Sequence, residues 1–254
     1  MPDNDHCKPS VPTAQYWWRH YRNTGSAAVF HVDLTPHANR EMGALAWLDT
    51  KERARWNRFR HTRPQREFSL CRAALRAILC SQLDCNNEEL AFETSKHGKP
   101  FALVGGIPAP VNFNVSHSGL HGLIALVPEG RIGVDVEERI TRRGLDATIE
   151  TAFSVNERAE LASTGGEQKI QLFFRLWTMK EALIKALGRG LSMDMSEVEI
   201  PATVRSGERS SMFRFPRMPA VRWWLENLGN PDFAAAIAYE LDPGSASENG
   251  ATLP

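Results

Sequence analysis

The chain contains 254 residues, of which 42% are hydrophobic, so it can form one large globular domain or two small ones. Basic and acidic side chains number 30 each, so no overall charge indicates a binder of nucleic acid or membrane surfaces, and we expect neither partner. The first residues are polar and contain prolines, and no apolar run approaches the length of a membrane span. We therefore expect a cytoplasmic protein.

Four cysteines occur, Cys7, Cys71, Cys80 and Cys85, without the CxxC spacing of a metal or redox motif. No histidines stand nearby at a spacing that would complete a zinc site. Because disulfides are rare in the cytoplasm, we expect reduced thiols.

The first half of the chain predicts strands and two helices. Three stretches have alternating apolar residues that predict strands: 27–34, 90–95 and 111–116. The turn-forming sequences "KHGKP" and "GGIPAP" lie between the second and the third. Residues 48–60 predict a charged helix with Asp49 or Thr50 as its cap. Apolar residues at helical spacing in 66–83 predict a second helix that faces the core.

The second half begins with a predicted β-hairpin. Residues 120–140 contain two apolar strands joined by the turn sequence Pro-Glu-Gly at 128–130. A helix pair is predicted at 154–188, and three later stretches resemble strands, at 197–201, 221–227 and 233–241. Helices and strands thus mix without regular alternation, which favours an α+β fold over a doubly wound sheet.

Each half combines strands with one long helix, which predicts two similar α+β subdomains meeting at the central hairpin. We place them at residues 29–128 and 129–242, after an N-terminal extension of residues 1–28. Residues 243–254 are rich in Gly, Ser and Asn and predict a disordered tail. Because the two halves form a pseudo-dimer within one chain, we expect a monomer.

Two carboxylates share one face of the strand "IGVDVEE". The strand period of two directs Asp135 and Glu137 to the same side, together with Gly133. Carboxylates so placed can converge on Mg²⁺, which also takes oxygen atoms from substrate phosphates. A solvated outer strand face is the alternative.

The stretch "NFNVSHSGLHG" runs from alternation into a turn at Ser116 and His117. Hydroxyls, an imidazole and free main-chain N–H groups in a tight turn can hold phosphate. Such triplets are also common in ordinary turns, and a Ser/His pair suggests a hydrolase. No G-x-S-x-G elbow surrounds Ser116, which weakens the hydrolase reading.

Basic residues precede this stretch. Lys96 and Lys99 flank a glycine turn that Pro100 stiffens, and a solvated turn is favoured over a phosphate clamp. Further upstream, four arginines line the helical region, and the solubility of an ordinary helix surface explains them equally well: Arg63, Arg66, Arg72 and Arg76.

The helical stretch "LWTMKEALIKALGRGL" places a lysine, Lys180, inside its apolar stripe. Glu181 lies at the margin of the stripe, and with Lys185 it has the i,i+4 spacing of an ordinary surface ion pair. That pair does not explain Lys180, which needs either a buried anion or a route for its stem to reach water.

Taken in order, "HGKP", "FNVSHS", "IGVDVE" and "LWTMKEALIKALGRGL" resemble the segments of Sfp-type 4′-phosphopantetheinyl transferases. That family pairs a (V/I)G(V/I)D(V/I)E strand with a W-x-x-K-E-A-x-x-K helix some forty residues later, and here Asp135 precedes Glu181 by 46 residues. The resemblance spans roughly residues 45 to 200. It implies a pseudo-twofold pair of α+β halves with coenzyme A in the cleft between them.

The resemblance also implies an activity, the transfer of 4′-phosphopantetheine from coenzyme A to a serine of an apo acyl or peptidyl carrier protein. The other product is adenosine 3′,5′-bisphosphate. The metal ligands for Mg²⁺ carried over from the family are Asp135, Glu137 and Glu181. Contacts to coenzyme A as co-substrate fall on Lys99, Ser116, His117, Lys180 and Lys185, with Arg66 and Arg72 as approximate matches. Glu181 is the expected base, and Lys185 assists catalysis; the anion beside Lys180 is then a coenzyme phosphate.

Two other functions remain open at this point. The same carboxylates suit a Mg²⁺-dependent phosphohydrolase that acts on another pyrophosphate, and a non-catalytic module that binds coenzyme A or a carrier is a third reading. An eroded carboxylate set is expected in such a module, and all three carboxylates are present. The basic segment "RITRRGL", with Arg139, Arg142 and Arg143, is either a solvated loop or a docking surface for an acidic carrier.

Overall fold

The computed structural model describes residues 17–96, 98–140, 144–188 and 193–241. Its first half is built on a four-stranded antiparallel sheet in the order β1-β2-β7-β6. These strands are β1 (Trp18–Thr24), β2 (Ala27–Asp33), β6 (Asn112–Ser118) and β7 (His121–Val127). β1 lies within the range 1–28 that we assigned to an extension. Its pairing with β2 makes Trp18–Thr24 part of the first sheet.

Three helices and a small sheet complete this half. The helices are α1 (Ala38–Trp47), α2 (Thr50–Trp56) and α3 (Thr62–Leu83), and the small sheet contains β3 (Leu90–Thr94), β4 (Pro100–Val104) and β5 (Ile107–Pro108). The predicted cap of α2 is confirmed, because the Asp49 carboxylate accepts the N–H of Glu52 and the Glu52 side chain returns to the N–H of Asp49.

The second half repeats the plan with a four-stranded antiparallel sheet in the order β8-β11-β10-β9. Its strands are β8 (Ile132–Glu137), β9 (Ser210–Phe215), β10 (Met218–Asn227) and β11 (Ala234–Leu241). The helices are α4 (Leu145–Ala152), α5 (Val155–Ser163), α6 (Gly166–Leu187) and α7 (Ala202–Arg205), with a 3₁₀ turn at Met195–Glu197. The predicted helix pair at 154–188 is thus confirmed.

The two halves pack as four layers. A long helix of 22 residues covers the outer face of each sheet, α3 on the first and α6 on the second. The inner faces of the sheets meet in a shared apolar core that includes Val29, Leu123, Val134 and Ile237. The α+β class with two similar halves is therefore confirmed. None of the described helices combines the length and apolar character needed to cross a bilayer.

The predicted central hairpin is wrong. β7 pairs with β2 and β6, and β8 pairs with β11, so the turn at 128–130 passes from one sheet to the other. The reason is that β7 already has a partner strand on each side, so it offers no free edge to β8. The burial of every residue of β7 after His121 agrees with this central position. The predicted strand at 197–201 is also wrong: Val198 and Ile200 alternate into the core, but the segment has no partner strand among the described residues.

Candidate active site

Besides packing face to face, the two sheets are joined along one side, where side chains connect an edge strand of each. β6 is an edge strand of the first sheet, and β8 is an edge strand of the second. Alternate side chains of β6 accept hydrogen bonds from alternate main-chain N–H groups of the other strand: Asn114 from Val134 at 2.9 Å, Ser116 from Val136 at 3.4 Å and Ser118 from Glu138 at 3.3 Å. This side-chain ladder replaces the backbone ladder that two ordinary neighbouring strands would form.

The same serines also hold the carboxylates of β8. Ser116 Oγ donates to Asp135 Oδ1 at 2.9 Å, and Ser118 Oγ donates to Glu137 Oε2 at 2.6 Å. Lys185 of α6 completes the first contact, since its Nζ lies 2.6 Å from Asp135 Oδ1 and 2.9 Å from Ser116 Oγ. The serine motif therefore positions the carboxylates from the neighbouring strand, a role that alternation alone did not predict.

Asp135 lies in an unusual electrostatic environment. Its side chain is only 4% exposed, and Oδ2 has no hydrogen-bond partner in the part of the chain that the structure describes. Burial raises the pKa of Asp135 to about 6, although Lys185 and the Ser116 hydroxyl act in the opposite direction. The neighbouring Glu137 carboxylate raises this pKa further. Asp135 thus carries a buried oxygen that is free to accept a cation or a proton.

Glu181 comes to this cluster from α6, one turn before Lys185. Burial raises the pKa of Glu181, Lys185 lowers it, and Glu137 raises it again. The effect of Glu137 on the pKa of Glu181 indicates that the two carboxylates lie in the same region. Three acidic side chains and one lysine therefore converge where β6, β8 and α6 meet.

Gly133 allows β8 to lie directly against α6. A Cβ atom at this position would collide with the main-chain oxygen of Ala182 and the main-chain nitrogen of Ala186. We expected this glycine to leave room beside the carboxylates, and the room is filled by the backbone of the helix. The close approach sets the distance between Asp135 on the strand and Lys185 on the helix.

The donor set suits Mg²⁺ in its chemistry. Asp135, Glu137 and Glu181 offer the carboxylate oxygens that this ion prefers, and one of those oxygens is buried without a partner. Within the described ranges, however, no three His, Cys, Asp or Glu side chains are already gathered in the geometry of a cation site. The Lys185 ammonium occupies the position beside Asp135 Oδ1.

Lys180 is fully buried, but its partner belongs to the chain. Its side chain and that of Glu157 on α5 are both 0% exposed, with Nζ 2.7 Å from Glu157 Oε2. The same Nζ donates to the main-chain oxygens of Met195 at 2.9 Å and Val198 at 2.5 Å. The buried anion that the sequence required is therefore Glu157, and the interpretation of this anion as a coenzyme phosphate is wrong.

A cleft of about 460 Å³ opens on the first half, walled by α2, α3, β3 and β6. His117 lines it, so the cleft lies beside the carboxylate cluster that Ser116 joins. Its wall also contains the cations Lys51, Arg55 and Arg72. We did not predict Lys51 and Arg55 as site residues. Their i,i+4 spacing on α2 was the available signal, and it resembles that of any charged helix.

The cleft is mixed in charge, with acidic groups in the same wall. Asp49 and Glu52 line it, but each carboxylate pairs with the buried Arg76 at 2.7 Å. Arg72 lies 3.3 Å from Glu52, stacks 4.3 Å above the Phe92 ring and has a buried Nη1 without a partner among the described residues. Asp49 and Glu52 are thus committed to protein partners, whereas Glu93, Lys51 and Arg55 are exposed in the same wall.

Of the other predicted contacts, only His117 is among the described residues that line this cleft. His117 is 44% exposed, with Nδ1 3.7 Å from Glu67; burial lowers its pKa, Glu67 opposes this, and Lys185 lowers it further. Lys99 Nζ donates to the main-chain oxygens of Ile132 at 2.8 Å and Lys185 at 3.5 Å, and burial lowers its pKa to about 8. Arg66 donates to the main-chain oxygen of Leu34 at 2.9 Å and is not among the described residues that line the cleft.

Some expectations fall outside the described ranges. These are the tail 243–254, Cys7 and the arginines Arg142 and Arg143 of the proposed docking loop. Arg139 is described, and it donates to the main-chain oxygens of Pro231 and Phe233. The other three cysteines, Cys71, Cys80 and Cys85, are free thiols.

Comparison with protein families gives two matches that divide the chain between them. A model described as the 4′-phosphopantetheinyl transferase superfamily matches residues 131–238. A model described as the N-terminal part of 4′-phosphopantetheinyl transferases matches residues 34–129. The N-terminal match covers α3, β6 and β7 but neither β1 nor β2, and the other match covers α6 and the second sheet except for the end of β11.

Individual relatives carry the same enzyme name. The 4′-phosphopantetheinyl transferase HetI of Nostoc sp. is 35% identical over 175 residues, which cover 69% of this chain and 73% of HetI. The 4′-phosphopantetheinyl transferase psf-1 of Bacillus pumilus is 33% identical over 174 residues, covering 66% of this chain and 72% of that protein. A Synechocystis sp. protein provisionally given this name is 38% identical over 156 residues, and the chain spans 63% of its length.

The family models fall on both halves, and HetI and psf-1 are each covered over more than two thirds of their length at 35% and 33% identity. The carboxylate strand and the lysine-bearing helix that carry the resemblance come together at one junction of the fold. This chain therefore belongs to the 4′-phosphopantetheinyl transferase family.

Proposed function

We propose that this enzyme transfers the 4′-phosphopantetheine group from coenzyme A to a serine hydroxyl of an apo acyl or peptidyl carrier protein. The observation that carries the proposal is the convergence of Asp135, Glu137, Glu181 and Lys185 beside a cleft with three cations in its wall. Carboxylates next to a lysine suit a reaction at a pyrophosphate, where negative charge must be both bound and moved.

The cleft is the proposed site of the coenzyme. Its volume of about 460 Å³ lies in the range of small-molecule pockets. Lys51 and Arg55 are exposed in its wall and have the charge to meet phosphate groups, and Arg72 offers an unpartnered buried Nη1. His117 stands where the cleft approaches Asp135 and Lys185, so a pyrophosphate at that end would lie beside the carboxylates.

The proposed chemistry uses Glu181 and Lys185 directly. The serine oxygen of the carrier forms a bond to the phosphorus that bears pantetheine, while the bond from this phosphorus to the bridging oxygen breaks. Adenosine 3′,5′-bisphosphate leaves with the bridging oxygen, and the serine proton passes to Glu181, whose pKa is raised by burial. Lys185 meets the charge that develops on the leaving oxygens.

Mg²⁺, if held by Asp135, Glu137 and Glu181, would neutralise the pyrophosphate charge. Asp135 contributes its free Oδ2 to that set, and Ser116 and Ser118 keep the two strand carboxylates in place. Lys180 has no part in this site because Glu157 satisfies its charge in the core. The contribution of Arg66 and Lys99 to coenzyme binding stays a prediction.

Intact-protein mass spectrometry tests the proposal. Several apo carrier proteins are incubated with the enzyme, coenzyme A and Mg²⁺, and a mass gain equal to one phosphopantetheine group is expected on carriers with an intact serine. A carrier whose acceptor serine is replaced by alanine and the enzyme variant Glu181→Gln serve as controls, and neither reaction should yield the gain. Breakdown of coenzyme A without any modified carrier would instead support a phosphohydrolase.

A further inference from the structure

A second cavity, of about 300 Å³, lies beyond the end of the carboxylate strand. It is bounded by the first turns of α6, by the residues after β8 and by the start of β11. Its position relative to the active site is fixed by the sheet, because Ala234 lines the cavity and pairs in register with Glu137. The cavity is therefore a neighbour of the carboxylate cluster and has separate walls.

Two arginines in this cavity have donors to spare. Arg139 donates to the main-chain oxygens of Pro231 at 2.9 Å and Phe233 at 2.8 Å. Arg175 donates through Nη2 to the main-chain oxygens of Val204 and Glu208. A guanidinium carries five N–H groups, so each arginine keeps three that find no acceptor among the described residues. In both cases the Nε atom is buried and belongs to this unpartnered set.

The charges of these arginines are also uncompensated. Neither guanidinium forms an ion pair with a carboxylate in the described part of the chain. Burial lowers the pKa of both, and Asp232 opposes this effect for Arg139. A partly buried cation without a counter-ion is costly, so the arrangement is complete only when an anion joins it.

The remaining wall residues are suited to the same ligand. The side chains of Gln168, Gln171 and Asn227 are neutral amides, and no carboxylate is among the lining residues. Gln171 donates to Glu167 at 3.0 Å, and Asn227 uses its oxygen to accept the N–H of Gly229 at 2.9 Å, which leaves its amide N–H groups as donors. The wall therefore offers donors from Asn227 and from both arginines, and none of its described lining residues is acidic.

We propose that this cavity is an oxyanion-binding site, whose ligand is a carboxylate or a phosphate group. The planar fork of a guanidinium matches both groups in geometry. A volume of about 300 Å³ suits one small anion or one acidic side chain better than a large cofactor. The site is independent of the coenzyme cleft, and its existence does not require the proposed transfer reaction.

A tethered carboxylate tests the site directly. Gln168→Glu places an acidic group in the wall, and it is made both in the native background and in Arg175→Met. We expect the melting temperature to rise by about 2 °C more in the native background than in Arg175→Met. A glutamate in the first turn of α6 also interacts with the helix dipole, but this effect is common to both backgrounds and cancels in the double-mutant cycle. Equal shifts in the two backgrounds would overturn the proposal.

A second measurement does not depend on the folding of Arg175→Met. Inorganic phosphate, compared with chloride at equal ionic strength, should raise the melting temperature of the native protein more than that of Gln168→Glu, in which the tethered carboxylate already fills the site. The same shift in both proteins would contradict the proposal.

Kinetics with an acidic apo carrier protein then separate the two sources of the anion. A higher KM for Gln168→Glu, with an unchanged KM for the exposed control Gln82→Glu on α3, assigns the site to a carboxylate of the partner. An unchanged KM for both assigns it to a free oxyanion.

Discussion

Replacing Lys180 by methionine should destabilise the fold and leave coenzyme binding intact. Methionine has a similar length and no charge, so the substitution removes the ammonium group with little change in packing. The Glu157 carboxylate then stays in the core, 0% exposed, without the cation that lies 2.7 Å from it in the native protein. The main-chain oxygens of Met195 and Val198 lose their donor in the same step.

The magnitude follows from what remains around the carboxylate. Breaking a buried ion pair by removing one partner costs about 3 to 5 kcal/mol, because the other charge is left uncompensated. Glu157 keeps hydrogen bonds from the N–H groups of Ser154 and Ile200, at 2.8 Å each, which favours the lower end of this range. A loss near 3 kcal/mol corresponds to a fall of roughly 10 °C in the melting temperature of a domain of this size.

The assay combines urea unfolding with titration calorimetry of coenzyme A. Lys169→Met is the matched control on the same helix, since Lys169 pairs at 3.0 Å with the exposed Asp146 and a surface pair contributes at most about 1 kcal/mol. In the double variant Lys180→Met/Glu157→Gln, the loss should be smaller than the sum of the two single losses by at least about 1 kcal/mol. A Lys180→Met protein of native stability with weakened coenzyme A binding would refute this reasoning and return Lys180 to the ligand site.

Three further variants test the junction between the halves. Asn114→Ala should lower the free energy of unfolding by about 1 to 3 kcal/mol, because it leaves a buried main-chain N–H of β8 unpaired. The control Asn112→Ala, at an exposed position of the same strand, should be nearly neutral. Equal losses for the two variants in urea unfolding would contradict the side-chain ladder. Gly133→Ala should force β8 away from α6 and lower both stability and carrier modification, while the unobstructed Gly43→Ala in α1 should be neutral or stabilising. Burial raises the pKa of Asp135 from 3.8 to about 6 in the folded protein, so the native protein loses stability as the pH rises from about 4 to 6. Asp135→Asn does not titrate, so its stability relative to the native protein should increase over the same pH range. Melting temperatures that differ by the same amount at pH 4 and pH 8 would contradict this assignment.

The strand and helix of the site were predictable because their signals are local. Alternation in "IGVDVEE" placed Asp135 and Glu137 on one face, and helical spacing identified Lys180 as buried. The partner of Lys180 was not predictable in the same way. Glu157 lies 23 residues earlier, where Ser154 and Glu157 have the spacing of a capping box, and both capping hydrogen bonds form. The motif marks the start of α5 but says nothing of the pairing with α6, which depends on tertiary packing.

Strand pairing was the less predictable part of the fold. Two apolar strands with a short turn between them satisfy the sequence rule for a hairpin, and β7 and β8 satisfy it without pairing. The pairing depends on which strands already have neighbours. β7 lies between β2 and β6, so β8 pairs instead with β11, about 100 residues later in the chain. That choice depends on contacts distant in sequence, which a local pattern does not contain.

The meeting of two edge strands explains why the site lies where it does. An edge strand exposes N–H groups that invite pairing with another chain, and proteins normally cover or block them. Here the period-two series Asn114, Ser116 and Ser118 covers the edge of β8, because each of these side chains accepts a main-chain N–H from that edge. Because the two serines have hydroxyl protons left to donate, they turn those protons to Asp135 and Glu137. The contacts that seal the joint between the halves therefore also orient the two strand carboxylates, so a variant that weakens the joint should impair the site before it unfolds either half.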